Sequence, residues 1–272
     1  MGKMLQHIKN ILVKVFGYRL LLILGDTLVL DRYRWLRQNF PETRQGETLL
    51  DVGCGSGAFT LAAAAKGFYS TGISWDERNQ NEAEKMARRN RLDDKAKFKA
   101  LDIRKLDEHK SFIESFDFCI NFENIEHIIN DRKLMIDIYA CLKPGGILLL
   151  TSPYFFLNPI SSSDKGPFSD IEDGGHVRRG YTRTMLKELC REAGFEIEKI
   201  SGCSGYFSQK ITRIYRALFD IHPLLAWLVI LPLRPLPPLL DNLMRKIFGV
   251  ADYSICMVAV KPRYCKAQAS RS

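Results

Sequence analysis

The sequence predicts an α/β protein: a doubly wound, mostly parallel sheet, with a helical extension before it and an insertion ahead of its last strand. Three observations carry this. From about residue 48 onward, short β-rich runs alternate with helical patterns, which is how parallel β-α-β units are written. The run Ile147 to Leu150 is continuously apolar, as a strand covered on both faces must be. Between a strand pattern at 48–52 and a helix pattern at 58–66 stand Gly53, Gly55 and Gly57, so the first connection is a tight glycine loop.

Taken in order, residues 1–45 form a helical extension, in which Met4, Ile8, Ile11 and Val15 recur at helical spacing with Lys9, Asn10 and Lys14 on the other side. The sheet domain spans 46–262. Its strands are expected at 48–52, 68–73, 96–101, 116–121, 146–151, 195–200 and 253–260, and its helices at 58–66, 78–91, 108–114, 131–141 and 182–193. Leu142-Lys143-Pro144-Gly145-Gly146 stops the fourth of these helices and Gly194 the fifth. Residues 156–180 hold Asn-Pro, three serines, Lys-Gly-Pro and Asp-Gly-Gly, and a loop so long in a compact domain is usually functional. Residues 205–250 are an apolar, basic, Pro-rich insertion, and 263–272 are a basic tail.

At 272 residues the chain can bury one substantial core. Its composition, 46% hydrophobic and 26% charged, excludes disordered, collagenous and repeat classes. The seven cysteines are scattered without a C-x-x-C pair, which predicts neither a disulfide framework nor a zinc ribbon but a reduced, cytoplasmic setting. A net charge of +9 suggests nucleic acid until it is located: the excess sits in 1–47, 205–250 and 261–272, and the rest is slightly acidic. No run reaches the roughly 20 apolar residues of a transmembrane helix, and Lys14 and Arg19 interrupt any signal-peptide core.

The glycine loop alone is ambiguous. Glycines allow left-handed dihedrals and remove the Cβ that would block a ligand, so Gly53-x-Gly55-x-Gly57-Ala58 suits a methyl donor, a dinucleotide or a plain structural turn. Its surroundings add more. Leu49-Leu50-Asp51-Val52-Gly53-Cys54-Gly55-Ser56-Gly57 resembles the first motif of class I S-adenosylmethionine-dependent methyltransferases. Later motifs follow in the family's order: Phe116-Asp117-Phe118, Ile125-Glu126-His127-Ile128, Leu142 to Gly146, Gly175-His176-Val177-Arg178 and Ala193-Gly194-Phe195. The resemblance covers about 48–204 and the final strand, and is strongest to the branch containing ubiquinone-biosynthesis O-methyltransferases. It implies a seven-stranded sheet and S-adenosylmethionine as cofactor.

By that resemblance, Gly53, Gly55 and Gly57 contact the methionine end of the cofactor and Asp51 helps hold its amino group. The family's second strand usually ends in an acid that grips the ribose diol. Here the place reads Gly72-Ile73-Ser74-Trp75-Asp76, and the single hydroxyl of Ser74 cannot accept both ribose hydrogens. Asp76 is the substitute within reach. Trp75 either stacks on adenine or packs locally. Asp102 and Ile103 match the position that reads the adenine edge, Asp102 being alternatively a helix N-cap. Asn121, at the end of the fourth strand, completes the expected cofactor contacts.

Methyl transfer from a sulfonium is an in-line displacement, for which the protein supplies alignment, exclusion of water and a proton acceptor. Asn121-Phe122-Glu123-Asn124 lacks the Pro-Pro of adenine N-methylases, and no Pro-Cys nucleophile of the cytosine C5 type occurs, so oxygen is the expected target. Glu123-x-x-Glu126-His127 with His176 resembles the divalent metal site of ubiquinone-type and small-RNA 2′-O-methyltransferases. Alternatively Glu126 caps the next helix and His127 packs near the cofactor. His127 and His176 are the candidate general bases either way. A small-molecule or lipid-like acceptor is the expected partner, nucleic acid is disfavoured, and oligomeric state is not legible. The flanks suit either a helical lid or contact with the inner face of a membrane. RNA ribose methylation and non-catalytic cofactor binding are the rival functions.

Overall fold

The computed structural model describes residues 17–19, 22, 26–40, 46–161 and 164–263. In chain order the elements are α1 (Thr27–Asn39), β1 (Thr48–Val52), α2 (Ala58–Lys66), β2 (Tyr69–Ser74), α3 (Glu77–Arg89), β3 (Ala96–Ala100), β4 (Phe116–Phe122), α4 (Asp131–Cys141), β5 (Leu142–Pro153), α5 (Arg183–Glu192), β6 (Glu196–Cys203), α6 (Tyr206–Ile221), α7 (Pro223–Ile230), α8 (Leu236–Phe248) and β7 (Ser254–Val260). The strands make one seven-stranded sheet in the order β3-β2-β1-β4-β5-β7-β6. Only β7 runs antiparallel to its neighbours. This is the doubly wound sheet expected.

Alternation along the central strands sends their side chains to two cores, one on each face. Leu50, Val52, Cys119, Leu148 and Leu150 join Leu134, Met135 and Ile138 of α4 and Leu186 of α5. Leu49, Phe118, Ile120 and Leu149 meet Trp35 and Leu36 of α1 on the other side. The period of two in a strand makes this division, and cover on both faces explains why the central strands contain so few polar residues.

The element edges shift where the motifs predicted stops. β5 begins at Leu142, so Lys143-Pro144-Gly145-Gly146 lies within the strand rather than before it. The helix expected at 108–114 is absent. In its place stand two 3₁₀ turns, Ile103–Glu108 and Lys110–Phe112, broken at His109. Ile103 and Leu106 are three apart, a spacing the 3₁₀ turn stacks on one side, and both are buried. Phe112 is buried against Phe116 from the second turn. The helix expected around Met4 to Val15 and most of the basic tail lie outside the described residues. The six described cysteines are free and buried.

The insertion is helical. α6 docks on α1 through Ser208, whose hydroxyl meets Asp31 and lies 2.8 Å from Asp241 of α8, while Arg216 pairs with Asp26 at 2.9 Å. Trp227 of α7 sits between Tyr215 and the Arg234 guanidinium. Its position follows from topology. Cys203 and Pro153 both pair with Ser254, so β6 delivers the chain, and β7 takes it back, at the carboxyl end of the parallel strands. That is the edge on which the glycine loop stands. Among the described residues no single helix is long and apolar enough to cross a membrane.

Candidate active site

The glycine loop is held to the sheet from several sides. The Gly53 and Cys54 N–H groups both donate to Ile73 O, at 2.9 and 3.0 Å. Gly53 and Gly57 have φ of 80° and 75°. Space also demands glycine there: a Cβ on Gly53 would stand 2.4 Å from the Asn124 side chain, and one on Gly57 2.5 Å from the Phe98 ring. Gly55 shares the left-handed backbone with φ of 51°.

Asp51 lies beneath the loop, 3% exposed, accepting a 2.6 Å hydrogen bond from Thr60 Oγ1. Burial pushes its carboxyl up to about 7, against the partial relief of that bond. Such an acid is poised to ionise when an ammonium group arrives nearby. Asn121 is fully buried and spends its amide on Val52 O (2.9 Å) and Asn124 Oδ1 (3.0 Å). Its amide nitrogen thus supports the loop from below, while its Oδ1 is buried without a hydrogen-bond partner.

The end of β2 departs from expectation too. Ser74 Oγ accepts from Gln80 Nε2 at 2.7 Å, and the same amide nitrogen donates to Gly55 O at 3.2 Å. Asp76 caps α3, accepting from the Arg78 and Asn79 N–H groups and the Asn79 amide. Neither Ser74 nor Asp76 is among the residues that line the cleft beside the loop. Gln80 was not legible: nothing local marks a glutamine in the first turn of a polar helix as the tie between the end of β2 and the glycine loop.

That cleft holds about 460 Å³ and is lined by Trp75, Asp102, Ile103, Asn124, His127 and the segment Glu172 to Gly174, among others. Trp75 is 71% exposed on its wall. Asp102 is indeed a cap, accepting from Arg104 N at 3.0 Å and from the Arg104 guanidinium. These bonds hold its carboxyl below the usual range. Arg104 reaches on to Glu172 at 2.8 Å, and Glu172 also accepts from Ile129 N. A chain of charge-assisted bonds thus ties β3 to the long loop 156–180 across the cleft, between residues too far apart in sequence to suggest it.

At the opposite side, the 3₁₀ turn Ile125–His127 aims Glu126 and His127 at His176. The two imidazoles meet edge to face at 4.7 Å between centroids. His127 Nδ1 lies 2.9 Å from Gly175 O, and its Nε2 lies 3.9 Å from Glu126 Oε1. If Nδ1–H donates to that carbonyl, Nε2 keeps its lone pair. Burial and the nearby Glu123 push Glu126 well above the ordinary carboxylate range, while burial and His127 lower His176. Glu126 Oε1 and His176 Nδ1 are buried without a hydrogen-bond partner. One ligand atom from each of Glu126, His127 and His176 falls within 4.8 Å of the others. Glu123, expected with them, is not in this group: its carboxylate turns to Arg32 of α1 at 3.5 Å. An arginine from the extension could not be foreseen as its partner.

A family model described as a methyltransferase domain matches residues 29–200. The chain belongs to this methyltransferase family. The methyltransferase is 24% identical over 194 residues to the ubiquinone biosynthesis O-methyltransferase of Marinobacter nauticus, covering 68% of this chain and 79% of that protein. It is 32% identical over 168 residues to the 27-O-demethylrifamycin SV methyltransferase of Amycolatopsis mediterranei, covering 60% of this chain and 59% of that one. In fold it matches the Haemonchus contortus phosphoethanolamine N-methyltransferase 2 in complex with S-adenosyl-L-methionine, with a TM-score of 0.61 at 21% identity, over 85% of this chain and 52% of that chain. The protein is therefore an S-adenosylmethionine-dependent methyltransferase on a class I fold.

Proposed function

We propose that this methyltransferase transfers its methyl group to a hydroxyl oxygen of a small, lipid-like acceptor. The observation that carries the oxygen target is the Glu126–His127–His176 cluster beside the cofactor cleft. An imidazole near neutral pH suits a hydroxyl, which must shed a proton as it attacks, whereas an amine nucleophile needs no base until after transfer. The acceptor oxygen bonds to the methyl carbon as the carbon–sulfur bond breaks, and the sulfonium leaves as a neutral thioether. His127 Nε2 takes the hydroxyl proton, while the Nδ1 contact with Gly175 O holds the ring in place. The imidazolium so formed stands 3.9 Å from Glu126 Oε1, and its charge favours ionisation of that acid.

The two imidazoles and one carboxylate also fit a divalent cation, which when bound would lower the acceptor hydroxyl's pKa. The O-methyltransferase name of a relative supports the oxygen target, and the apolar insertion, which leaves the sheet at the same end as the glycine loop, supports a lipid-like acceptor. A polyanion is not favoured, because Asp102, Glu123, Glu172 and Asp173 outnumber Arg104 around the cleft.

Labelled S-adenosylmethionine incubated with lipid, aqueous and RNA fractions of the source cells tests this directly. Label is expected in the lipid fraction, in a product whose NMR spectrum shows a methoxy carbon. Label in RNA alone, or on nitrogen, would refute it. His127→Ala should lower turnover by about 10²–10⁴-fold with S-adenosylhomocysteine binding intact. Full activity in that variant removes His127 from the mechanism, and chelator sensitivity reversed by added Mn²⁺ or Mg²⁺ would mark the cation.

A further inference from the structure

Residues 214–248 hold 12 of the 21 exposed large hydrophobic side chains among the described residues. α7, Pro-Leu-Leu-Ala-Trp-Leu-Val-Ile, contains no polar side chain at all. Ala226 and Ile230, one turn apart, are buried, whereas Leu225 and Leu228 are exposed, and Leu228 is 73% so. α8 repeats the pattern: Pro237 and Asp241 face inward, and Leu239, Leu243 and Ile247 make an outward stripe at spacing four. A helix that is apolar all round is normally enclosed by protein or lipid. Here the described residues cover one side only.

Its ionic neighbours indicate what covers the other. Lys210, Arg213 and Lys246 of the insertion are exposed, against the single exposed acid Asp220. An apolar face that carries Lys246, on an insertion whose exposed charges are mostly positive, matches an anionic bilayer surface, which takes up hydrocarbon without asking for hydrogen bonds and attracts positive charge. The segments Pro223–Leu233 and Leu236–Phe248 together are apolar enough for a membrane span, but they are bent by 63° and both α7 and α8 pack on α6. A bent pair that packs on α6 along one side suits a place in the interface.

We infer that the outer face of α7 and α8 is a docking surface for an anionic lipid bilayer. It stands on the sheet edge that carries the glycine loop, so docking would turn the catalytic end of the molecule toward the membrane. The inference holds whatever the acceptor is, because it is read on vesicles without turnover.

Flotation of the full chain tests it, with vesicles of phosphatidylcholine alone and of roughly two parts phosphatidylcholine to one part phosphatidylglycerol. The chain should float with the mixed vesicles and about tenfold less with the neutral ones. The double variant Leu228→Asp, Leu243→Asp changes exposed positions, so its circular dichroism and S-adenosylhomocysteine binding should match the parent. Its flotation should fall by about tenfold. Equal flotation of variant and parent overturns the inference by placing the contact elsewhere, and equal flotation on both vesicle types overturns the role of charge. A chain that ignores both vesicles and runs as a dimer split by the same substitutions overturns it in favour of self-association.

Discussion

Asp51 is where a single residue links stability to function. Its folded carboxyl titrates at about 7 against an ordinary value of 3.8. The unfolded chain therefore releases this proton first as pH rises. The stabilising contribution of the protonated acid is full below about pH 4 and is lost as pH climbs through 7. Asp51→Asn keeps an acceptor for Thr60 and removes the ionisation. We expect that variant to be more stable than the parent at pH 8, by about 2–4 kcal/mol, with little difference near pH 4. Urea denaturation at the two pH values checks this. The same variant should bind S-adenosylmethionine at least about tenfold more weakly by calorimetry, since a neutral amide cannot answer an ammonium. The glycine loop was legible because its backbone demands leave a mark in consecutive residues, whereas Asp51 was singled out by the resemblance of its motif to the family's first. Asn121, Ser74 and Asp76 were assigned to the cofactor through the family resemblance, and their bonds to Val52, Gln80 and Asn79, which tie them to the scaffold, could not be read from the sequence.

At the scale of elements, periodicity found the strands and most helices, because burial on one side writes itself into the spacing of apolar residues. It failed at 108–114, where ten residues hold two short turns and carry too little period to separate α from 3₁₀. The extension shows a different limit. α1 looked like an accessory helix, yet it sends Arg32 to Glu123, a pair whose side chains are 12% and 15% exposed. Glu123 is raised by burial and held down chiefly by Arg32. Arg32→Met leaves that acid buried alone and should cost about 3 kcal/mol of stability in urea denaturation. Adding Glu123→Gln should restore most of the loss, and no recovery in the double variant would show that the pair is not coupled.

Across the whole molecule, buried acids dominate the response to pH. Asp31, Asp51, Asp137, Glu126 and Asp252 are all raised chiefly by burial. Each contributes less to stability as pH rises through its folded value. Asp102, Asp107 and Asp117 are lowered by Arg104 and lysine partners and lose their contribution only below about pH 4. His176, lowered by burial, opposes the first group below its ordinary value of 6.5. These raised acids, with Glu123 beside them, outweigh one imidazole. The melting temperature should therefore peak at mildly acidic pH, roughly 5–6, and decline toward pH 8. Calorimetry across that range checks it, and a maximum at pH 8 would mean that these acids are ionised in the folded chain.

The sequence by itself determined the glycine loop and the alternation of strands and helices from β1 to β6, apart from 108–114, because backbone geometry and local burial are encoded by neighbouring residues, and its ordered motifs carried the resemblance to the methyltransferase family. The tertiary structure alone decided which polar groups remain free for chemistry. Hydrogen bonds such as Gln80 to Ser74, Arg104 to Glu172 and Arg32 to Glu123 join residues distant in the chain, and a side chain spent on one partner is unavailable to another. It also decided that the described residues cover only one side of the apolar insertion. Spacing can show that a helix is apolar all round, but only its neighbours in space determine which side meets protein and which is left for another surface.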